Sequence, residues 1–269
     1  MDTAIGFVGA GNMTEAMIRG LRSAGIDGSR IFATTRSRVD RLEHLRATWG
    51  IVPVRDKAEL SASAGTLILA MKPQDIDQAM TELRPHVTDR HLIITVMAGV
   101  PCAAVESYLN GTPVVRAMPN LPMAVLAATT ALAYGRNAAA DHRAAARSLF
   151  NLLGHTVEVG EEAMDAVTAI SGSGPAYVYL FMEALIEAAV QGGLPPEVAK
   201  EMAVQTVYGA AKLVKETDSD PADLRRRVTS PGGTTMAALT VLEARGFKMN
   251  IGDAVKQAIR RAGELAARR

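Results

Sequence analysis

The sequence predicts an α/β chain in two parts: a doubly wound, largely parallel sheet over residues 1–160, then an all-α segment over residues 161–269. Three observations predict it. Short, almost wholly apolar runs alternate with helical patterns through the first half, and strands that apolar must be covered on both faces. The first run, "IGFVG", enters a glycine turn and a helix in the order a dinucleotide-binding unit uses. Beyond residue 160 no β-rich run recurs, only helical stretches broken at Gly and Pro.

Taken in order, residues 3–9, 30–35, 50–54, 66–72, 91–99 and 113–118 read as strands, with helices near 12–24, 36–48, 56–63, 73–84 and 101–109 between them. Residues 124–135 and 155–160 add edge strands around a helix near 138–153. Helices then follow near 161–170, 174–191, 195–216, 220–228, 234–245 and 249–268. Breaks fall at Gly192-Gly193, Asp220-Pro221 and the "SPGG" of residues 230–233. Along "GPAYVYLFMEALIEAAVQGG" (174–193), Glu183, Glu187 and Gln191 form one polar stripe and the rest of the circumference is apolar. A helix like that must be buried on most sides, and about 110 residues of helix enclose it poorly alone. The second part is therefore expected to be a dimerisation domain, with a homodimer as the minimal unit.

Composition narrows the function. With 269 residues, 48% of them apolar, and a net charge of +1, the chain is neither a disordered polyelectrolyte nor a nucleic-acid binder. No apolar run reaches membrane-spanning length, and residues 1–11 read as a strand rather than a signal peptide. The single cysteine, Cys102, fits a reducing cytoplasm and reads as a packed structural thiol. The five histidines show no ligand spacing, so no metal is expected.

The chemistry concentrates in glycine- and hydroxyl-rich turns. Gly9, Ala10, Gly11, Asn12 and Met13 form the turn whose N–H groups would face a pyrophosphate, although the third fingerprint position is Thr14. The second strand ends in Thr35 and Arg36 rather than an acid, which favours a 2′-phosphate and hence NADPH, with NADH as the second candidate. "AMKPQD" (70–75) and "MAGV" (97–100) close the fourth and fifth strands, where ligands sit in open α/β sheets. Lys72 there reads as a cofactor contact or as a solvated cation. Asn120, in "RAMPNLP", reads as a nicotinamide or substrate contact or as part of a rigid turn. "ISGSGPAY" (170–177) allows close approach of a ligand or close helix packing.

"VTSPGGTTMAAL" (228–239) is the most unusual stretch. Four hydroxyls (Thr229, Ser230, Thr234, Thr235) surround Gly232 and Gly233 just where a helix begins. Either a hydroxyl caps that helix, or its N–H groups are kept for an anion.

In combination, "GFVGAGNM", "AMKPQ", "MAGV", "RAMPN", "DAVTAISGSGPAY" and "VTSPGGTTMAALTVLE" closely resemble the pyrroline-5-carboxylate reductase family, from the first strand to the last helix. The resemblance implies a Rossmann-type domain, a helical dimerisation domain, often rings of dimers, and NAD(P)H-dependent reduction of Δ1-pyrroline-5-carboxylate to L-proline. It implies cofactor phosphates against Gly9 to Met13 and the adenosine ribose end at Thr35 and Arg36. Met71, Lys72, Pro73 and Ala98 would border the nicotinamide, with Asn120 on the same side. The substrate carboxylate would sit in Ser230, Gly232, Gly233, Thr234 and Thr235, with Thr235, Ser230 and the acidic Glu161 nearest the chemistry. Three positions depart from the family: Leu121 replaces a Thr, Lys57 stands where an Asn often contacts the adenosine end, and Arg227 adds a cation before the loop.

No His, Lys or Cys in the substrate loop offers itself as a proton donor. Catalysis is expected to rest on orienting an already protonated imine. A β-hydroxyacid reductase would need a Lys on the first long helix of the second part, where only Glu183 and Glu187 stand out. A non-catalytic nucleotide sensor would not need the hydroxyl loop.

Overall fold

The computed structural model describes residues 4–267; residues 3 and 268, expected at the ends of the first strand and last helix, lie outside the described residues. Eight strands form one sheet: β1 (Ile5–Val8), β2 (Ile31–Thr34), β3 (Val52–Pro53), β4 (Thr66–Leu69), β5 (Leu92–Thr95), β6 (Val114–Met118), β7 (Ala128–Tyr134) and β8 (Gly154–Glu158). Their order is β3-β2-β1-β4-β5-β6-β7-β8. Every neighbour pairs in parallel except β6 and β7, which are antiparallel. The chain winds outward from β1 in both directions, so the order reverses between β1 and β4, the crevice where such sheets take ligands.

Helices α1 (Asn12–Ser23), α2 (Val39–Trp49), α3 (Lys57–Ser63), α4 (Ile76–Leu83), α5 (Cys102–Glu106) and α6 (Ala140–Asn151) cover the two faces. Alternate residues of the central strands feed two separate cores, as the two-fold repeat of a strand requires. Phe7, Ile68 and Ile94 pack with Met17, Ile18 and Leu21 of α1 on one face. Val8, Leu67, Leu69 and Ile93 pack with Leu60, Met80 and Leu83 on the other. Strands β4 and β5 stop earlier than the apolar pattern does. Residues 70–72 and 96–101 leave the ladder as turns at the ligand edge, and apolar content alone does not reveal where pairing ends.

After β8 come α7 (Met164–Val167), a π-helical turn over Thr168–Gly172, and α8 (Gly174–Gln191), α9 (Pro196–Thr217), α10 (Pro221–Arg227), α11 (Thr234–Ala244) and α12 (Phe247–Ala267). The "ISG" stretch, between the helices expected near 161–170 and 174–191, is thus helical as well. The amide of Ser173 donates to the carbonyl of Thr168 at 2.8 Å, one residue wider than an α-helical bond. A Cβ on Gly172 would come within 2.6 Å of Met118 Cε, so the glycine packs closely against the tip of that flexible side chain.

By compactness the chain divides into residues 1–173 with 258–269, and residues 174–257. Met164 and Val167 pack on Ala131 and Ala133 of β7, which draws the segment just after residue 160 to the sheet. In the unit of residues 174–257, the only buried apolar side chains among the described residues are Ala199 and Ala203.

Candidate active site

The first component of the site is the turn after β1. The amide of Gly9 donates to the Thr34 carbonyl at 2.9 Å, and Ala70 donates to Val8 at 3.0 Å, so the ends of β2, β1 and β4 are held side by side. Gly9 has φ +112°, and a Cβ there would lie 2.9 Å from the backbone of Ala70 and Met71. Only glycine fits. Gly11 is the N-cap of α1 and brings no side-chain acceptor, while a Cβ at Gly11 would meet nothing within 4 Å. The first-turn N–H groups of Asn12 and Met13 are therefore left for an outside anion, with open space before them. Thr14, the irregular fingerprint position, is wholly buried, and its hydroxyl donates to the Gly9 carbonyl at 2.9 Å. The hydroxyl satisfies itself on the turn it supports. These features fit a dinucleotide phosphate.

Beside the turn is a cavity of about 50 Å³ lined by Val8, Gly9, Thr34, Thr35, Arg36 and Lys57, with Asp75, Gln78 and Glu82 opposite. Arg36 is engaged, through Nη1, with Asp75 Oδ1 at 3.1 Å and Gln78 Oε1 at 3.0 Å. Lys57 is engaged by Glu82. That contact, with a further hydrogen bond from Gln78, holds the Glu82 carboxyl below its ordinary range. Lys57 and its carboxylate were not expected together; the lysine opens α3, where a cation opposes the helix dipole and gains from an anion nearby.

The nicotinamide-side candidates Met71, Lys72, Pro73 and Ala98 occupy the turns after β4 and β5. Lys72 is exposed. Pro73 and Ala98 line one surface depression with Tyr108. Asn120 follows β6, and its side chain is committed inside the fold. Its amide nitrogen donates to the Ser171 carbonyl at 3.2 Å, and its oxygen accepts from the Thr129 amide at 3.1 Å. It ties the loop after β6 to the π-helical turn.

Glu161 is also committed. Its Oε1 accepts the Cys102 amide at 2.7 Å and lies 3.4 Å from Nη1 of the buried Arg116. Cys102 is buried, and burial first, then Glu161, pushes its thiol up to about 12. It is a packed thiol, not a nucleophile.

In the helical unit, α10 ends at Arg227 and α11 begins at Thr234. Gly232 has φ +70°, and Gly233 is the N-cap of α11 with no side-chain hydrogen bond to the helix. The hydroxyl cap, one of the two readings of this stretch, is absent. Thr229 turns its hydroxyl back to the Arg225 carbonyl at 2.7 Å. A Cβ on Gly233 would fall 2.4 Å from Ser230 Oγ, so the serine folds over a bare backbone. Among the described residues the hydroxyls of Ser230, Thr234 and Thr235 show no hydrogen bond, and the N–H groups of Thr234 and Thr235 open the helix uncapped. The turn can take a carboxylate.

Residues 161–265 match the family described as "Pyrroline-5-carboxylate reductase dimerisation", and residues 4–99 match "NADP oxidoreductase coenzyme F420-dependent". The chain is 39% identical to a pyrroline-5-carboxylate reductase of Synechocystis sp. over 98% of its own length and 99% of the relative's. A solved pyrroline-5-carboxylate reductase from Coxiella burnetii superimposes with a TM-score of 0.89 at 37% identity, covering 99% of both chains. One from Plasmodium falciparum, with NADP bound, gives 0.89 at 29% identity and 98% of both chains.

Proposed function

The chain belongs to the pyrroline-5-carboxylate reductase family, and on that premise we propose that it reduces Δ1-pyrroline-5-carboxylate to L-proline, the last step of proline biosynthesis, with NADPH as the preferred donor. The uncapped, hydroxyl-flanked N-terminus of α11 carries this reading from within the chain itself. It offers backbone donors to a small carboxylate where an ordinary helix would satisfy them with its own side chain.

NADPH, when bound, supplies a hydride that adds to the carbon of the C=N bond. The chain's contribution is to bind and orient. Gly9, Ala10, Gly11, Asn12 and Met13 take the pyrophosphate, and Thr35 and Arg36 take the ribose 2′-phosphate. Met71, Lys72, Pro73 and Ala98 bound the nicotinamide side, and Asn120 braces it from within the fold. Ser230, Gly232, Gly233 and Thr234 hold the carboxylate. The Thr235 hydroxyl accepts the N–H of the protonated imine and so orients the ring; the proton already on that nitrogen is what leaves the C=N carbon electron-poor. The imine nitrogen already carries its proton on arrival, so hydride addition alone yields the neutral ring amine. No side chain has to supply a proton, and orientation accounts for the rate.

Residues 1–160 serve the cofactor and residues 161–269 serve the substrate and self-association. Helix α8 has no buried side chain within the single chain despite its apolar sequence, which supports a homodimer as the working unit, open to assembly into rings. Among the described residues no helix is long and apolar enough to cross a membrane, and a cytoplasmic setting suits the lone buried thiol.

The test is the loss of NADPH absorbance with Δ1-pyrroline-5-carboxylate, with NADH in parallel, repeated on Thr235→Ala. Loss of one hydrogen bond to a charged group is expected to lower kcat by about tenfold to a hundredfold, with NADPH affinity unchanged and Thr235→Ser largely restored. No turnover of the cyclic imine by the wild-type chain would refute the assignment. Weakened NADPH binding in Thr235→Ala would place that hydroxyl elsewhere.

A further inference from the structure

The turn that follows β5 is fastened at its far end by one carboxylate. It leaves the ladder after Thr95, passes Met97, Ala98 and Gly99 (φ +70°), and enters α5 at Cys102. Pro101, the N-cap of α5, has no side-chain acceptor for the helix. The first helical N–H, that of Cys102, goes instead to Oε1 of Glu161, 59 residues further along, at 2.7 Å. The same oxygen lies 3.4 Å from Arg116 Nη1. Arg116 is on β6 and pairs in register with Thr95, the residue where the turn begins. Its side chain is only 7% exposed, and Glu161 is the one ion partner it has among the described residues. A buried guanidinium left without its carboxylate would be an uncompensated charge, so the pairing ties Glu161 to β6. Glu161 itself stands directly after Gly160, at the start of the short 3₁₀ turn that follows β8.

We infer that Glu161 is a positioning residue: its carboxylate, anchored by Arg116, clasps the Cys102 amide and so sets the conformation of the 96–101 turn against the nicotinamide half of the cofactor. The inference rests on the proposed cofactor site, in which Ala98 borders the nicotinamide. It removes Glu161 from the chemistry and gives it a geometric task. Hydride transfer is steep in donor–acceptor distance, so a loosened turn costs rate even where the phosphates stay bound. Cys102, the single cysteine of the chain and 2% exposed, lies at the clasp and reports on it.

Three full-length proteins test this: wild type, Glu161→Gln, which keeps the acceptor for the Cys102 amide and loses the charge, and Glu161→Ala, which loses both. Each is titrated with NADP⁺ and with 2′,5′-ADP, which lacks the nicotinamide half, and the rate of Cys102 alkylation by N-ethylmaleimide is followed without ligand. A hydrogen bond to a charged group corresponds to about tenfold or more in equilibrium. Alkylation is therefore expected to rise in Glu161→Gln, where only the carboxylate's upward push on the thiol is lost, and about tenfold further in Glu161→Ala, where the amide's acceptor goes as well. NADP⁺ affinity should fall in the same order while 2′,5′-ADP affinity stays at the wild-type value, and kcat should fall with it. Equal alkylation in the two variants would show that no clasp exists. Faster alkylation with NADP⁺ and 2′,5′-ADP weakened equally, or with neither affected, would show that the clasp is structural only; if Glu161→Ala fails to fold, Glu161→Gln decides by the same ratio. Failure of the cofactor reading would look different, as wild-type protein that does not bind NADP⁺ at all.

Discussion

Lys57 Nζ lies 2.5 Å from Glu82 Oε2 in the cavity at the end of β2, with the lysine 13% exposed and the glutamate 47% exposed. Arg36, in the same cavity, is paired with Asp75. Two cations are thus held ready, each by its own acid. A 2′-phosphate brings about two negative charges and competes for both, whereas a 2′-hydroxyl does not. Lys57→Ala is expected to weaken NADPH about tenfold and leave NADH nearly unchanged, and Glu82→Gln to strengthen NADPH by freeing the lysine. Quenching of protein fluorescence by each cofactor checks it. Equal weakening of both cofactors would make Lys57 a support for α3 instead.

Gly9 and Gly25 provide a matched pair. Both have positive φ, +112° and +89°, but a Cβ at Gly9 meets the Ala70–Met71 backbone at 2.9 Å while one at Gly25 meets nothing within 4 Å. Gly25→Ala carries only conformational strain, on the order of 1–3 kcal/mol. Gly9→Ala adds a clash between the ends of β1 and β4 at the turn proposed to take the phosphates. The expected result is a modest fall in Tm with normal NADPH affinity for Gly25→Ala, and a larger fall with affinity reduced at least tenfold for Gly9→Ala. Equal behaviour of the two would deny the close approach its importance.

Much of this was legible along the chain because it is written in short-range signals. Strands β1, β2, β4, β5 and β6 are short, mainly apolar runs, and the glycine turn after β1 and the 230–235 loop are each contiguous in sequence. What was not legible depends on residues far apart. Nothing in "EEAMDAV" signals that Glu161 reaches Cys102, and nothing near Arg36 points to Asp75. Asn120 read as a ligand contact or part of a rigid turn because its neighbours are prolines; its bonds to Ser171 and Thr129 exist only once the sheet brings β7 beside β6. The buried Arg116 was the available clue, since a charge in the middle of "VVRAM" needs a partner somewhere in the fold.

The first two helices are tied by charge in a way that makes the acid limb of stability readable. Glu15 on α1 meets Arg41 and His44 of α2. Burial works against its ionised form, but hydrogen bonds and attraction from His44 and Arg41 outweigh it and hold the carboxyl below its ordinary 4.5. The unfolded chain then binds more protons than the folded one as pH falls through and below 4.5, so the contribution is complete above that value and is lost beneath it. Glu15→Gln should be less stable than wild type at pH 7 and lose less on acidification, with urea midpoints converging toward pH 3. Added salt narrows the gap because the pair is partly exposed. A constant gap from pH 7 to pH 3 would mean that packing, not charge, is what the substitution removes.

Leu180 of α8 and Val39 of α2 are equally exposed in the single chain, 67% and 66%, yet they belong to different surroundings. Val39 is an isolated apolar residue at the start of a helix that covers a filled core. Around Leu180 the chain also exposes Val178, Tyr179 and Phe181, and on α9 Val198, Met202, Val204 and Tyr208. Phe181 finds one aromatic neighbour, Phe247, at 6.5 Å between ring centroids. Helices this apolar with no large side chain buried need a second copy to cover them. Burying a leucine is worth about 1.5–3 kcal/mol, and two-fold symmetry counts each change twice. Leu180→Glu is therefore expected to halve the particle mass in light scattering, or to leave a chain that unfolds at lower temperature as its concentration falls. Val39→Glu should change neither. A Leu180→Glu protein with the wild-type mass and a concentration-independent Tm would show that this face of α8 is not what the second copy covers.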